Sequence, residues 1–185
     1  NIYSDVKNLA PYRLLKRPKK VEFTITDTAE IQKVEMKDDV PIGRIIINKK
    51  GEFLSEVTWN EMVAGAMDSI WDYVTGSLKD VTFEIYARED VKAADGESDD
   101  YYEKDELVAT ITTDELGFAR SDDLPLGKYY VVEKETANGF VLDGEPRDID
   151  LTYRDQDTPV VTYDSEWQNS RQKAKVIVTK KRKRF

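Results

Sequence analysis

The chain has 185 residues, 37 of them acidic and 28 basic, for a net charge of −9 at neutral pH. It contains no cysteine and no histidine, which removes disulfides, thiol nucleophiles, the usual zinc ligands and Ser-His-Asp chemistry. No stretch approaches the ~20 consecutive apolar residues that a membrane-spanning helix needs, so no membrane insertion is expected in this segment.

The charge is uneven. Lys16, Arg17, Lys19 and Lys20 near the start and Lys180 to Arg184 at the end are basic, whereas the middle is acidic, most densely from Asp95 to Glu106. Basic chain ends are ordinarily solvated. A nucleic-acid partner is not expected, because the acidic middle opposes it and no basic surface is interleaved with aromatics.

In chain order, most segments read as short strands. They are 22–28, 43–48, 81–87, 107–113, 128–133, 148–153, 159–167 and 174–179, rich in Val, Ile, Thr and Tyr and mostly alternating with period two. Turn chemistry separates them, as in "TDELG" at 113–117, "LPLG" at 124–127 and "LDGEP" at 142–146. Many short strands at regular spacing predict an all-β sandwich. One segment, 57–74, places Trp59, Met62, Val63, Ala66, Met67, Ile70, Trp71 and Val74 at helical spacing, with Thr58 and Glu61 as a capping-box pair. It predicts one inserted helix. The loop 92–106 is acidic, but its spacing matches no EF-hand, and no metal or cofactor is expected.

An internal echo organises the rest. "VEMKDDVPIGRIIINKK" and "SEWQNSRQKAKVIVTKK" align on their Lys-Lys pairs, so that Lys49 matches Lys180 and Asp38 matches Asn169. Upstream, Pro18 falls on Pro146, Val21 on Ile149 and Phe23 on Leu151. The chain therefore reads as a piece of a tandem array. Residues 1–40 are expected to be the last strands of one module, 41–173 a complete module, and 174–185 the start of the next.

Within the complete module, three polar residues extend apolar rows. Lys49 follows Ile45 and Ile47, Glu133 follows Tyr129 and Val131, and Asn169 follows Val161, Tyr163, Ser165 and Trp167. If the three rows face one core, the groups meet. Burial lowers a lysine pKa by up to ~3–5 units and frees the amine, and burial favours the neutral form of a carboxylate. A neutral Glu133 would then polarise the Asn169 carbonyl while the Lys49 amine attacks its carbon and ammonia leaves. The same residues admit a plainer reading, a buried Lys49–Glu133 salt bridge with Asn169 as hydrogen-bond partner. Spacing does not decide between them.

Five stretches bear on the choice: "PIGRIIINKKGE", "LKDVTFEIYA", "LVATITTDELGFARSDDLPLGKYYVVEKETANGFVLD", "DQDTPVV" and "EWQNSRQKAKVIVTKK". Together they resemble the Cna B-type or SpaA-type module of Gram-positive pilins and adhesin stalks, over roughly residues 42–180. The long central stretch carries the family signature, a "TTDxxG" turn leading through "LPxGxYxxxE" to a glycine-aromatic pair. Ala137-Asn138 stands where the family often has alanine-proline. The resemblance implies an Ig-like or transthyretin-like β-sandwich, with Lys49 as the isopeptide lysine, Asn169 as its partner and Glu133 as the catalytic acid. It implies a structural stalk or pilin-like module on the bacterial surface or cell wall, with neighbouring modules of the same polypeptide as partners. Self-crosslinking would occur once per molecule, so no turnover enzyme is expected. The alternative is an adhesin domain that binds a host or matrix ligand through the inserted helix or the acidic loop.

Overall fold

The computed structural model describes residues 40–61, 67–93, 98–155 and 157–174. Apart from Val40 and Ala174, the expected flanking pieces 1–40 and 174–185 lie outside the described residues, as do the predicted strands 22–28 and, save Ala174, 174–179.

Among the described residues, nine strands form two sheets: β1 Ile42–Glu61, β2 Met67–Ser77, β3 Thr82–Ala87, β4 Leu107–Thr112, β5 Phe118–Arg120, β6 Leu124–Pro125, β7 Lys128–Glu135, β8 Arg147–Asp150 and β9 Val160–Asn169. In the first sheet β1 is the hub. It pairs antiparallel with β2, β5 and β6, and parallel with β9. The second sheet runs β4-β3-β7-β8 and is antiparallel throughout.

The fold is the all-β sandwich that the alternation predicts. On β3, Phe83, Ile85 and Ala87 point inward; on β7, Tyr129 and Val131 do; on β1, Ile45 and Ile47; on β9, Val161 and Trp167. The two inner faces interdigitate, with the Phe83 and Trp167 rings edge to face at 5.4 Å. The "TDELG" turn forms as its residues dictate. The Asp114 carboxylate accepts the Leu116 and Phe118 N–H groups, both at 2.9 Å, and Gly117 takes φ +82°. Around the undescribed 94–97, the acidic loop is fastened by a Val91–Tyr102 bridge and a Lys92–Asp100 ion pair at 2.7 Å.

The described part of the helix expected over 57–74 is replaced by two paired strands of a hairpin, and residues 62–66 lie outside the described residues. Residues 57–61 and 67–74 lie in β1 and β2, paired from Val57↔Trp71 to Glu61↔Met67. The helical spacing misleads because both faces of this ribbon carry apolar side chains, which erases the period-two signal. Its Val, Ile, Thr, Trp and Tyr residues also favour the extended backbone.

Candidate functional site: a buried lysine, glutamate and asparagine

Lys49, Glu133 and Asn169 are fully buried, at 0%, 1% and 1% exposure. Strand alternation puts each of them there. Lys49 continues the Ile45–Ile47 row on β1, Glu133 the Tyr129–Val131 row on β7, and Asn169 follows Trp167 on β9. Lys49 lies opposite Trp167 and Gly51 opposite Asn169 in the parallel ladder, so the lysine and the asparagine sit diagonally on one face. Glu133 descends from the other sheet.

The three groups form a closed triangle. The Lys49 ammonium donates to Glu133 Oε2 at 2.6 Å and to Asn169 Oδ1 at 2.7 Å. The Asn169 Nδ2 group donates to Glu133 Oε1 and, at 2.8 Å, to the Thr136 hydroxyl. Glu133 thus bridges the lysine nitrogen and the amide nitrogen with its two oxygens. This differs from the expected geometry, in which Glu133 holds the amide oxygen. With a charged lysine, the observed orientation avoids facing the amide N–H groups with the ammonium, which has only donors to offer.

The surroundings are apolar. The Lys49 nitrogen lies 5.6 Å from the Phe83 ring centre and 6.0 Å from that of Trp167. Burial pushes the Lys49 amine below its ordinary value, and the hydrogen bond and charge of Glu133 oppose that shift. Farther out, the Arg147 guanidinium stacks over Trp167 at 4.2 Å and pairs with Asp143 at 2.5 Å.

The "NGF" turn seals the end of the site. Gly139 has φ +85°, which lets the chain double back. Val141 N–H donates to the Ser170 carbonyl and Gln172 N–H to the Gly139 carbonyl, both bonds clamping the chain just past Asn169. Phe140 is thereby laid over Gly51 and meets Phe53 edge to face at 5.4 Å.

Sequence reasoning named all three residues of the triangle and missed Thr136. That residue lies just past the end of β7, where alternation no longer says which way a side chain points. Among the described residues no group of His, Cys, Asp or Glu could hold a metal ion.

Three solved structures are similar to the chain at low identity. The TIE protein of Bacillus anthracis is 21% identical, with a TM-score of 0.46 over 75% of this chain and 19% of its own. The minor pilin GBS52 of Streptococcus agalactiae is 18% identical, with a TM-score of 0.45 over 77% of this chain and 51% of its own. The major pilin SpaD of Corynebacterium diphtheriae is 20% identical, with a TM-score of 0.42 over 70% of this chain and 30% of its own. The chain therefore spans about a fifth and about half of the first two. No curated protein matches it. The model of the SpaA prealbumin-like fold domain matches residues 71–167, more than half of the chain. That span contains Glu133 and stops short of Lys49 and Asn169. By this match over more than half of its length, the chain belongs to the family of SpaA prealbumin-like fold domains.

Proposed function

We propose that residues 41–173 form a load-bearing module of a Gram-positive surface stalk or pilus, stiffened by an amide bond that the module makes between its own Lys49 and Asn169. The observation that carries this reading is the triangle. A lysine nitrogen stands 2.7 Å from an asparagine carbonyl oxygen, with one carboxylate in contact with both nitrogens. Taking two charges out of water costs several kcal/mol per ion, and a reaction that consumes both removes that cost.

The steps balance. The Lys49 ammonium passes a proton to Glu133 Oε2. Its freed lone pair attacks Asn169 Cγ, and the carbonyl electrons move onto Oδ1. Glu133 relays a proton from Nζ to Nδ2, the Cγ–Nδ2 bond breaks, and ammonia departs. Glu133 ends protonated and neutral beside the new amide.

The topology suits a mechanical role. β1 and β9 are parallel neighbours. A load entering at Pro41 and leaving at Ser170 would run along β1 to Lys49, cross the bond and leave residues 50–168 unstretched. The crosslink would close a loop between residues 120 positions apart, which removes about 4–5 kcal/mol of unfolded-state entropy on the loop-closure model. In a chain with no cysteine, it would replace what a disulfide does elsewhere.

Intact mass tests the reading. The expected mass is that of the sequence less one ammonia, with Lys49 and Asn169 in one branched peptide, and Glu133→Gln should restore the full mass. A wild-type mass equal to the sequence mass would leave the persistent salt bridge as the correct reading.

A further inference from the structure

Asn138 is the one asparagine in the chain that is followed by glycine. It holds the second position of a tight turn. The Phe140 N–H donates to the Ala137 carbonyl at 3.2 Å, and Gly139 takes φ +85°, the pattern of a type II turn. Both Asn138 and Gly139 are exposed. Among the described residues, no partner holds the Asn138 side chain and no acceptor meets the Gly139 N–H. The space beside them is open. A Cβ on Gly139 would meet nothing closer than Arg171 Nη2, at 3.8 Å. That guanidinium also sets a positive charge near the Gly139 nitrogen, which favours loss of its proton.

The other asparagines with described side chains are guarded. Asn48 lies in β1, and its Nδ2 donates to Glu166 at 3.4 Å. The nitrogen that follows it, that of Lys49, is bound to the Gly117 carbonyl at 2.7 Å. Asn169 is buried, with its Nδ2 held by Glu133 and Thr136. Asp143 also precedes a glycine, but Arg147 holds its carboxylate at 2.5 Å.

We propose that Asn138 is a site of self-modification, in which its side chain cyclises onto the Gly139 nitrogen and water reopens the ring as aspartate or isoaspartate. Solvent base removes the Gly139 N–H proton. The nitrogen attacks Asn138 Cγ, the Cγ–Nδ2 bond breaks, and ammonia leaves with a proton from solvent. Water then adds to one of the two ring carbonyls. Opening at Cγ leaves aspartate. Opening at the main-chain carbonyl leaves isoaspartate, whose backbone is one atom longer. The Gly139 carbonyl accepts from Gln172 N–H, and Val141 N–H donates to Ser170. The extra atom therefore falls inside the clamp that lays Phe140 over Gly51, and isoaspartate at 138 unseats that ring.

A ring at 138 and a Lys49–Asn169 amide each leave the chain one ammonia light, so peptide mapping has to separate them. Trypsin, cutting after Lys134 and Arg147, releases residues 135–147, which contain Asn138 and neither Lys49 nor Asn169. During incubation of the full chain at mildly alkaline pH, this peptide should exchange its amide NH2 for OH at least about ten-fold faster than Asn48 does. An isoaspartyl methyltransferase should label the same peptide, and the isoaspartate-bearing chain should unfold at lower denaturant. Asn138→Pro suits the second turn position and has no side-chain amide to lose. It should abolish the mass change and the label while keeping the unfolding midpoint at or above wild type. An Asn138 amide that outlasts that of Asn48 would overturn the site. An isoaspartate-bearing chain with the wild-type midpoint would overturn its effect on the seal. None of these outcomes depends on whether Lys49 and Asn169 are joined.

Discussion

The ring of Phe140 fills the space above Gly51. A Cβ on that glycine would stand 2.5 Å from Phe140 Cε1 and 3.1 Å from Cζ. Gly51 lies opposite Asn169 in the β1–β9 ladder, so the ring closes the core immediately beside the buried triangle. Phe140→Ala is expected to lower the unfolding free energy by about 3–5 kcal/mol, through lost burial and the cavity left behind. Gly51→Ala is expected to cost about 1–3 kcal/mol by overpacking the same spot. Denaturant titration of chains in the same crosslink state checks both. Equal stability of Phe140→Ala and wild type would show that the ring does not seal the core.

What the sequence made legible follows from which periodicities survive in the fold. Lys49, Glu133 and Asn169 were readable because each ends a row whose other members are apolar, and strand alternation carries facing information over several residues. The hairpin at 57–74 was not readable in this way. Val57, Ile70, Trp71 and Val74 are distributed over both faces of a two-stranded ribbon that projects past the sandwich, so no single-face alternation remains. Apolar residues every three or four positions then imitate a helix. The short strands β5 and β6, of three and two residues, are too brief to show any period. The orientation of the Asn169 amide depends on three partners, Lys49 on β1, Glu133 on β7 and Thr136 in the turn after it, which no local pattern encodes.

Lys49 and Glu133 hold each other in place as a buried pair, and its energetic consequence is read in a chain that cannot form the proposed crosslink. In an Asn169→Ala background, Lys49→Met leaves Glu133 buried without its cation and should cost about 3–5 kcal/mol. Glu133→Gln strands the lysine and should cost a similar amount. The double variant should recover most of the loss, because a neutral, well-filled site carries no desolvation penalty. A double-mutant cycle by denaturant unfolding measures the coupling. Additive losses would mean that the two groups are solvated.

Lys49 also sets a pH dependence. Its folded-state value lies below 10.5, chiefly through burial. Between the folded and the unfolded value, the unfolded chain binds a proton that the folded chain has released. Stability therefore rises with pH through that window and is lowest, for this group, below it. In the Asn169→Ala background, unfolding free energy should rise with pH relative to a matched Lys49→Met/Glu133→Gln chain. Tyr86, pushed up to about 12 by its bond to Glu84, and Tyr129, raised by burial, act oppositely only as pH passes the ordinary tyrosine value of 10. Both are common to the two chains and cancel in the difference. A flat difference across the window would show that the amine titrates as in water.

Thr136 touches the nitrogen that would leave in the proposed reaction. Its hydroxyl accepts from Asn169 Nδ2 at 2.8 Å, and it is half-buried where Lys49, Glu133 and Asn169 are sealed. It therefore fixes the rotation of the amide and borders the route by which ammonia would reach solvent. If Nδ2 gained a third hydrogen in the proposed reaction, the hydroxyl would continue to accept from it while charge developed. Thr136→Val keeps the shape and removes the acceptor. Losing one such bond, worth about 0.5–1.5 kcal/mol, should slow amide formation by roughly three- to ten-fold. Thr136→Ser should restore the rate, which a purely packing role for the methyl group would not allow. Intact masses sampled during cell-free synthesis follow the loss of ammonia directly. A Thr136→Val chain that matures at the wild-type rate would remove Thr136 from the reaction, whereas a wild-type chain that never loses ammonia would remove the reaction itself.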